Sequence, residues 1–166
     1  MLFAIPSLLL FFSQGYKDVT LKEYISESQL PNKIEVLEKG VYDIVSVDII
    51  DNNIVLKCGT NDPQIYIFLH EPIEKIEGRL FVEITYTNTE AGILQIFYDY
   101  GNGLSEDNSF HYNINADYDE TIVQIPVIGW LKGEKLVGLR IDPPNGTEFI
   151  IKDVKFLTQK KIKVKR

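Results

Sequence analysis

Leu80-Phe81-Val82-Glu83-Ile84-Thr85-Tyr86 and Leu94-Gln95-Ile96-Phe97-Tyr98-Asp99 are the stretches on which the fold of this chain turns. Successive side chains of a strand point to opposite faces, so Leu80, Val82, Ile84 and Tyr86 share one face while Phe81, Glu83 and Thr85 share the other. Leu94, Ile96 and Tyr98 oppose Gln95, Phe97 and Asp99 in the same way, and Val137, Leu139 and Ile141 oppose Gly138, Arg140 and Asp142. The first set of each is the expected core. In Phe149 to Phe156 the apolar beat slips between Ile151, Val154 and Phe156, which predicts a bulge near Lys152 and Asp153.

Outward from these stretches the pattern repeats. Strands are predicted over Tyr42 to Ile50, Asn53 to Cys58, Gln64 to His70, Arg79 to Thr87, Gly92 to Tyr100, Ser109 to Asn115, Thr121 to Ile125, Lys135 to Asp142 and Glu148 to Phe156. Turn clusters separate them, among them Asp51-Asn52-Asn53, Gly101-Asn102-Gly103 and Pro143-Pro144-Asn145-Gly146. Composition agrees: the 166 residues include 22 Ile and only 3 Ala, a balance that suits pleated sheet because β-branched side chains are stiff and fit strands. Short strands at this spacing read as one all-β domain, an antiparallel sandwich or a barrel. A chain this long buries about two-thirds of its unfolded surface, so it needs no metal or disulfide to fold, and the single Cys58 excludes an internal disulfide.

The chain carries 17 basic and 24 acidic side chains, for a net charge of -7. Lys160 to Arg166 hold +5 of this, leaving -12 on the remainder. That excludes a general nucleic-acid binder, which needs a clustered basic face on its body. Residues 158–166 read as a basic tail, a solvated terminus whose charge also suits anionic lipid headgroups. Residues 1–15 read as a signal peptide or a short membrane anchor, because the apolar run Leu2 to Phe12 is too short to span a bilayer as a helix. A buried N-terminal strand is the structural alternative. Residues 16–32 read as a linker with one short N-terminal helix: Thr20-Leu21-Lys22-Glu23 is a capping box, Val19 and Tyr24 form a staple, and Pro31 stops the element begun at Leu21 near Gln29. The β-sandwich domain is then 33–157.

Three motifs carry a family resemblance: Asn61-Asp62-Pro63-Gln64-Ile65, the run from Leu94 through Tyr98-Asp99-Tyr100-Gly101-Asn102-Gly103 to Ser109, and Leu139-Arg140-Ile141-Asp142-Pro143. In this order they resemble the galactose-binding-like jelly-roll modules of bacterial membrane glycosyltransferases and surface-polysaccharide proteins. The resemblance covers about Val41 to Leu157. It implies an antiparallel jelly-roll β-sandwich outside the cytoplasmic membrane, secreted or anchored at the cell envelope. The implied partners are a glycan or polysaccharide and a membrane glycosyltransferase.

Sugars are held by aromatic rings under their C–H faces and by fixed polar groups at the rim. The outward rows offer both, and the expected ligand-binding residues are Phe68, Phe81, Glu83, Gln95, Phe97, Asp99 and Arg140, with Tyr66 and His111 nearby. The bland alternative is that these aromatics cover a second sheet face and that Arg140 pairs structurally with Asp99 or Glu83. Asp99, Glu106 and Asp107 supply the oxygen ligands that a structural calcium would take, although the loop lacks the EF-hand spacing. No other cofactor is expected. A glycoside hydrolase needs two carboxylates on one face, for which Glu83 and Asp99 are the only candidates by parity. Cys58, ending an apolar strand, reads as a buried small hydrophobe. The expectation is a non-catalytic carbohydrate-binding sandwich in envelope polysaccharide recognition or assembly. The alternatives are a docking module for a membrane glycosyltransferase and the hydrolase.

Overall fold

The computed structural model describes residues 16–24, 40–74, 78–129 and 134–165. Its strands are β1 (Tyr16–Tyr24), β2 (Val41–Tyr42), β3 (Ile44–Ile50), β4 (Asn53–Cys58), β5 (Gln64–Glu74), β6 (Arg79–Asn88), β7 (Gly92–Asp99), β8 (Ser109–Ile114), β9 (Asp117–Pro126), β10 (Lys135–Asp142) and β11 (Glu148–Lys165). Two antiparallel sheets form from them. Sheet A has the order β3-β4-β11-β6-β9, with β1 also on β11, and sheet B has the order β2-β5-β10-β7-β8. This is the expected β-sandwich.

The expected rows meet in its core. Leu80, Val82, Ile84 and Tyr86 of β6 join Phe149, Ile151, Val154 and Phe156 of β11 on the sheet A side. Ile65, Ile67, Leu94, Ile96, Tyr98, Leu139 and Ile141 meet them from sheet B. Tyr86 stacks on Phe149 at 5.2 Å between ring centroids. The buried Tyr98 hydroxyl donates to the Pro126 carbonyl at 2.8 Å, so its polar tip is not left unpaired. Cys58 is buried and its thiol is pushed up to about 12 by desolvation, which makes it a packing residue and not a nucleophile.

The register of β11 against β6 shifts between Ile151 and Asp153, the predicted bulge. A second shift, in β10 between Leu136 and Gly138, puts Leu136 in the core and leaves Val137 half-buried, so the row assigned to Val137 begins one residue earlier. The single strand expected over Tyr42 to Ile50 is divided at Asp43, whose φ of 48° turns a corner that sends β2 to sheet B and β3 to sheet A. The Asp43 carboxylate accepts from the Asn61 amide at 2.6 Å and fixes that corner.

Two expectations at the chain ends are corrected. Leu21 to Tyr24, assigned to a helix, are strand: β1 pairs antiparallel with β11 from Tyr16↔Lys165 to Tyr24↔Leu157. A capped segment of this length is marginal as an isolated helix, whereas the free edge of β11 offers partners along the whole of β1. The remainder of that expected helix lies outside the described residues, as do 1–15. Residues 158–165, read as a basic tail, are likewise strand, because β11 continues through Lys165 on the same pairing.

Candidate functional site

The outer face of sheet B carries three cross-strand rows. Tyr66 lies opposite Arg140, which lies opposite Phe97, which lies opposite Ser109. Phe68, Gly138 and Asp99 form the next row, and Asp142, Gln95 and His111 the one on the other side. Residues two apart on one strand share a face, so the outward positions of β5, β10, β7 and β8 converge without any loop.

Gly138 is what lets the first two rows interlock. A Cβ placed there would collide with the Tyr66 ring and hydroxyl, so the glycine gives that ring its place. From it the Tyr66 hydroxyl donates to Asp99 Oδ2 at 2.5 Å. Burial, then this hydrogen bond to a carboxylate, raise the Tyr66 phenol well above its ordinary value and keep it a neutral donor. Phe68 stands beside it, the ring centroids 4.4 Å apart and the planes tilted by 55°. With 54% of its surface exposed, Phe68 is an aromatic surface open to solvent.

Arg140 is fixed from below and along its own strand. Its guanidinium lies 3.8 Å from the Phe97 ring centroid, and Phe97 is buried beneath it. Its Nε and one terminal nitrogen donate to the two oxygens of Asp142 at 2.9 and 2.8 Å, a bidentate pair. Burial pushes the Asp142 carboxyl up to about 6; Arg140 opposes the shift without overcoming it, while Asp62 and Glu106 add to it. Gln95 donates to Glu106 Oε2 and Ser109 Oγ, both at 3.0 Å. At this end of the face an open cleft of about 460 Å3 lies among Asp62, Ile93, Gln95, His111, Asp142 and Asn145.

Of the residues singled out in the sequence, Phe68, Gln95, Phe97, Asp99 and Arg140 therefore lie together on one face. Phe97 serves as the bed for Arg140 and not as an open ring. Phe81 and Glu83 lie elsewhere: they sit on β6, in sheet A, with their row facing outward on the opposite side of the sandwich. Glu83 is buried there, accepting from the Tyr24 hydroxyl at 2.9 and 3.1 Å and from Gln124 Nε2 at 2.6 Å. Glu83 and Asp99 point away from each other across two sheets packed about 10 Å apart, so the hydrolase pairing is overturned. Asp99, Glu106 and Asp107 do not converge either. Asp99 serves Tyr66 and the Gly101 amide, Glu106 serves Gln95 and Ser109, and Asp107 is exposed. No group of three potential metal-ligating side chains exists among the described residues. Sequence reasoning missed Asp142 as the partner of Arg140, although the two share the outward row of β10, and it missed the use of Gly138.

No family model and no curated protein matches the sequence. Solved structures do match in fold. A family 29 carbohydrate-binding module has a TM-score of 0.53 at 11% identity, covering 86% of this chain and 89% of that one. A variant of such a module complexed with cellulohexaose has a TM-score of 0.53 at 10% identity, covering 86% and 91%. Another, complexed with mannohexaose, has a TM-score of 0.53 at 11% identity, covering 86% and 92%. The chain thus has the jelly-roll sandwich fold of these modules. No helix among the described residues is long and apolar enough to cross a membrane.

Proposed function

We propose that the outer face of sheet B is a non-catalytic glycan-binding surface. The observation that carries the reading is the juxtaposition of an exposed aromatic ring, Phe68, beside half-buried Tyr66, with a polar group held rigid before any ligand arrives: Arg140 on Phe97, locked to Asp142. A sugar ring stacks through its C–H face on Phe68 while its hydroxyls meet Arg140, Gln95 and Asp99, and a rigid site loses little freedom on binding. Support comes from the family 29 modules, where alanine variants of an arginine and of an aspartate two residues later probe the mechanism of ligand recognition. Arg140 and Asp142 have that spacing. The envelope-module resemblance extends the proposal to cell-envelope polysaccharide, met outside the cytoplasmic membrane.

The test is calorimetric titration of the full chain with cellulohexaose, mannohexaose and the hits of an envelope-glycan array. Saturable binding that Arg140→Ala abolishes, in a variant that still unfolds cooperatively, is the expected result. A folded protein that binds none of these glycans overturns the reading.

A further inference from the structure

One side of the sandwich is left open. Strand β3 pairs with β4 along one edge and with no described strand along the other, and β2, which Asp43 sets beside it, ends sheet B in the same way. Five of the eleven large hydrophobic side chains exposed among the described residues fall on these two strands: Val41, Tyr42, Val45, Ile49 and Ile50. Asp48 is the only charged residue of β3. The opposite edge of sheet A is guarded, because β9 carries Asp117, Asp119 and Glu120 and closes on Pro126, and charges and proline keep an unpaired edge from taking a partner.

We propose that β3 pairs antiparallel with β3 of a second copy of this chain, extending sheet A across a two-fold axis at Val47. The strand is complementary to itself in that register. Partners in a continued sheet share a face, so odd residues must oppose odd and even oppose even if the apolar row is to stay on the inner side. Centred on Val47, the pairing sets that residue against its own copy. It sets Val45, extruded by the register shift between Ile44 and Ser46, across from Ile49, so that two exposed apolar side chains cover each other. Charge complementarity favours the same register. Ser46 comes opposite Asp48 of the second copy, and Lys57, opposite Ser46 within one copy, then lies two strands, or about 10 Å, from that carboxylate, within reach of a lysine side chain. Neither Lys57 nor Asp48 has an ion pair among the described residues, and the symmetry makes their contact twice. The neighbouring register, centred on Asp48, puts this carboxylate directly opposite itself, a like-charge pair that destabilises a sheet. Antiparallel pairing also leaves both copies with the same side up. The two outer faces of sheet B then look the same way, which gives the glycan reading above, on which this consequence rests, two sites on one side of the dimer.

The experiment is sedimentation equilibrium of the full chain without glycan, at concentrations up to about 1 mM. A single edge strand makes a small interface, so a monomer–dimer equilibrium with a dissociation constant on the order of 100 µM is expected. Val45→Lys, at a side chain 67% exposed in the single copy, is expected to weaken the dimer at least about tenfold without harm to the fold. Asp48→Lys is expected to do the same, and adding Lys57→Asp to it to restore the affinity. On mild oxidation Val47→Cys is expected to form a disulfide between copies and Asp48→Cys is not, since only the residue on the axis meets its own copy; the native Cys58 is buried and does not compete. A chain that stays monomeric throughout, its edge left for an extended segment of some other protein, overturns the proposal. So does a dimer that both lysine variants leave intact, or one that cross-links through Asp48→Cys in preference to Val47→Cys. With no glycan present, these outcomes leave the glycan reading to its own test.

Discussion

The outer faces of the two sheets are built from the same alternation and reach opposite ends. On sheet A the outward carboxylate Glu83 is enclosed by its neighbours, Tyr24 from β1 and Gln124 from β9. Nearby charges are paired within the sheet, as Lys155 is with Asp153 and Lys152 with Glu120. On sheet B the rings of Tyr66 and Phe68 stand at the surface and Arg140 is clamped beside them. The difference is one of coverage. Strand β1 lays Tyr24 over sheet A, and none of the described strands covers the centre of sheet B. An outward polar-aromatic row is a binding surface only where nothing of the chain's own already occupies it.

Substitutions test that contrast in order of expected effect. Arg140→Ala removes the clamp and leaves Asp142 buried without its partner. We expect a loss of roughly 3 kcal/mol in urea unfolding and of at least about thirtyfold in glycan affinity by calorimetry. Unchanged affinity would break the assignment of the site to sheet B.

Next is the pH response of Asp142. Its carboxyl titrates near 6 in the fold, against 3.8 for an ordinary aspartate, so the folded state binds this proton more tightly than the unfolded chain does. Its contribution to stability is full below about pH 4 and is lost as pH rises through about 6, on the order of 3 kcal/mol in all. The urea midpoint of the native protein, taken relative to that of Asp142→Asn, is expected to fall as pH rises between those limits. A difference that instead grows in favour of the native protein would show that Arg140, not burial, sets the carboxyl.

Gly138→Ala pushes a methyl into the place of the Tyr66 ring. A cost of about 1–3 kcal/mol is expected, with loss of the Tyr66 to Asp99 hydrogen bond visible in the tyrosine absorbance titration. Phe68→Ala, at an exposed position, is expected to leave the unfolding midpoint nearly unchanged while weakening glycan binding about fivefold. Glu83→Gln sharpens the comparison from the other side, with about 1 kcal/mol lost in unfolding and no change in glycan affinity.

The rows of β6 and β7, and of β10 from Gly138 on, beyond the register shift that misplaced Val137, could be read residue by residue, because a period of two says which side chains face inward. That is why the core, the sandwich and even the bulge after Ile151 were legible. Which strands lie side by side was not. Phe81 and Glu83 looked equivalent to Phe97 and Asp99 in parity, and only the long-range order β11-β6-β9 against β5-β10-β7 places them on opposite sides. Tyr16 to Tyr24 failed for a related reason. A local capping signal at Thr20 to Glu23 competed with a pairing partner more than a hundred residues away, and the partner prevailed. At the site, the bidentate geometry of Arg140 and Asp142 needed only their shared parity on one strand, whereas the use of Gly138 needed the Tyr66 ring from another.

Backbone amide shifts, followed during titration with the tightest-binding oligosaccharide from the glycan array, test the central claim most directly. The account predicts that perturbations concentrate at Tyr66, Phe68, Gln95, Gly138 and Arg140 and leave Phe81, Glu83 and Gln124 unmoved. Perturbations centred on the sheet A residues, with the Arg140 row silent, would contradict it.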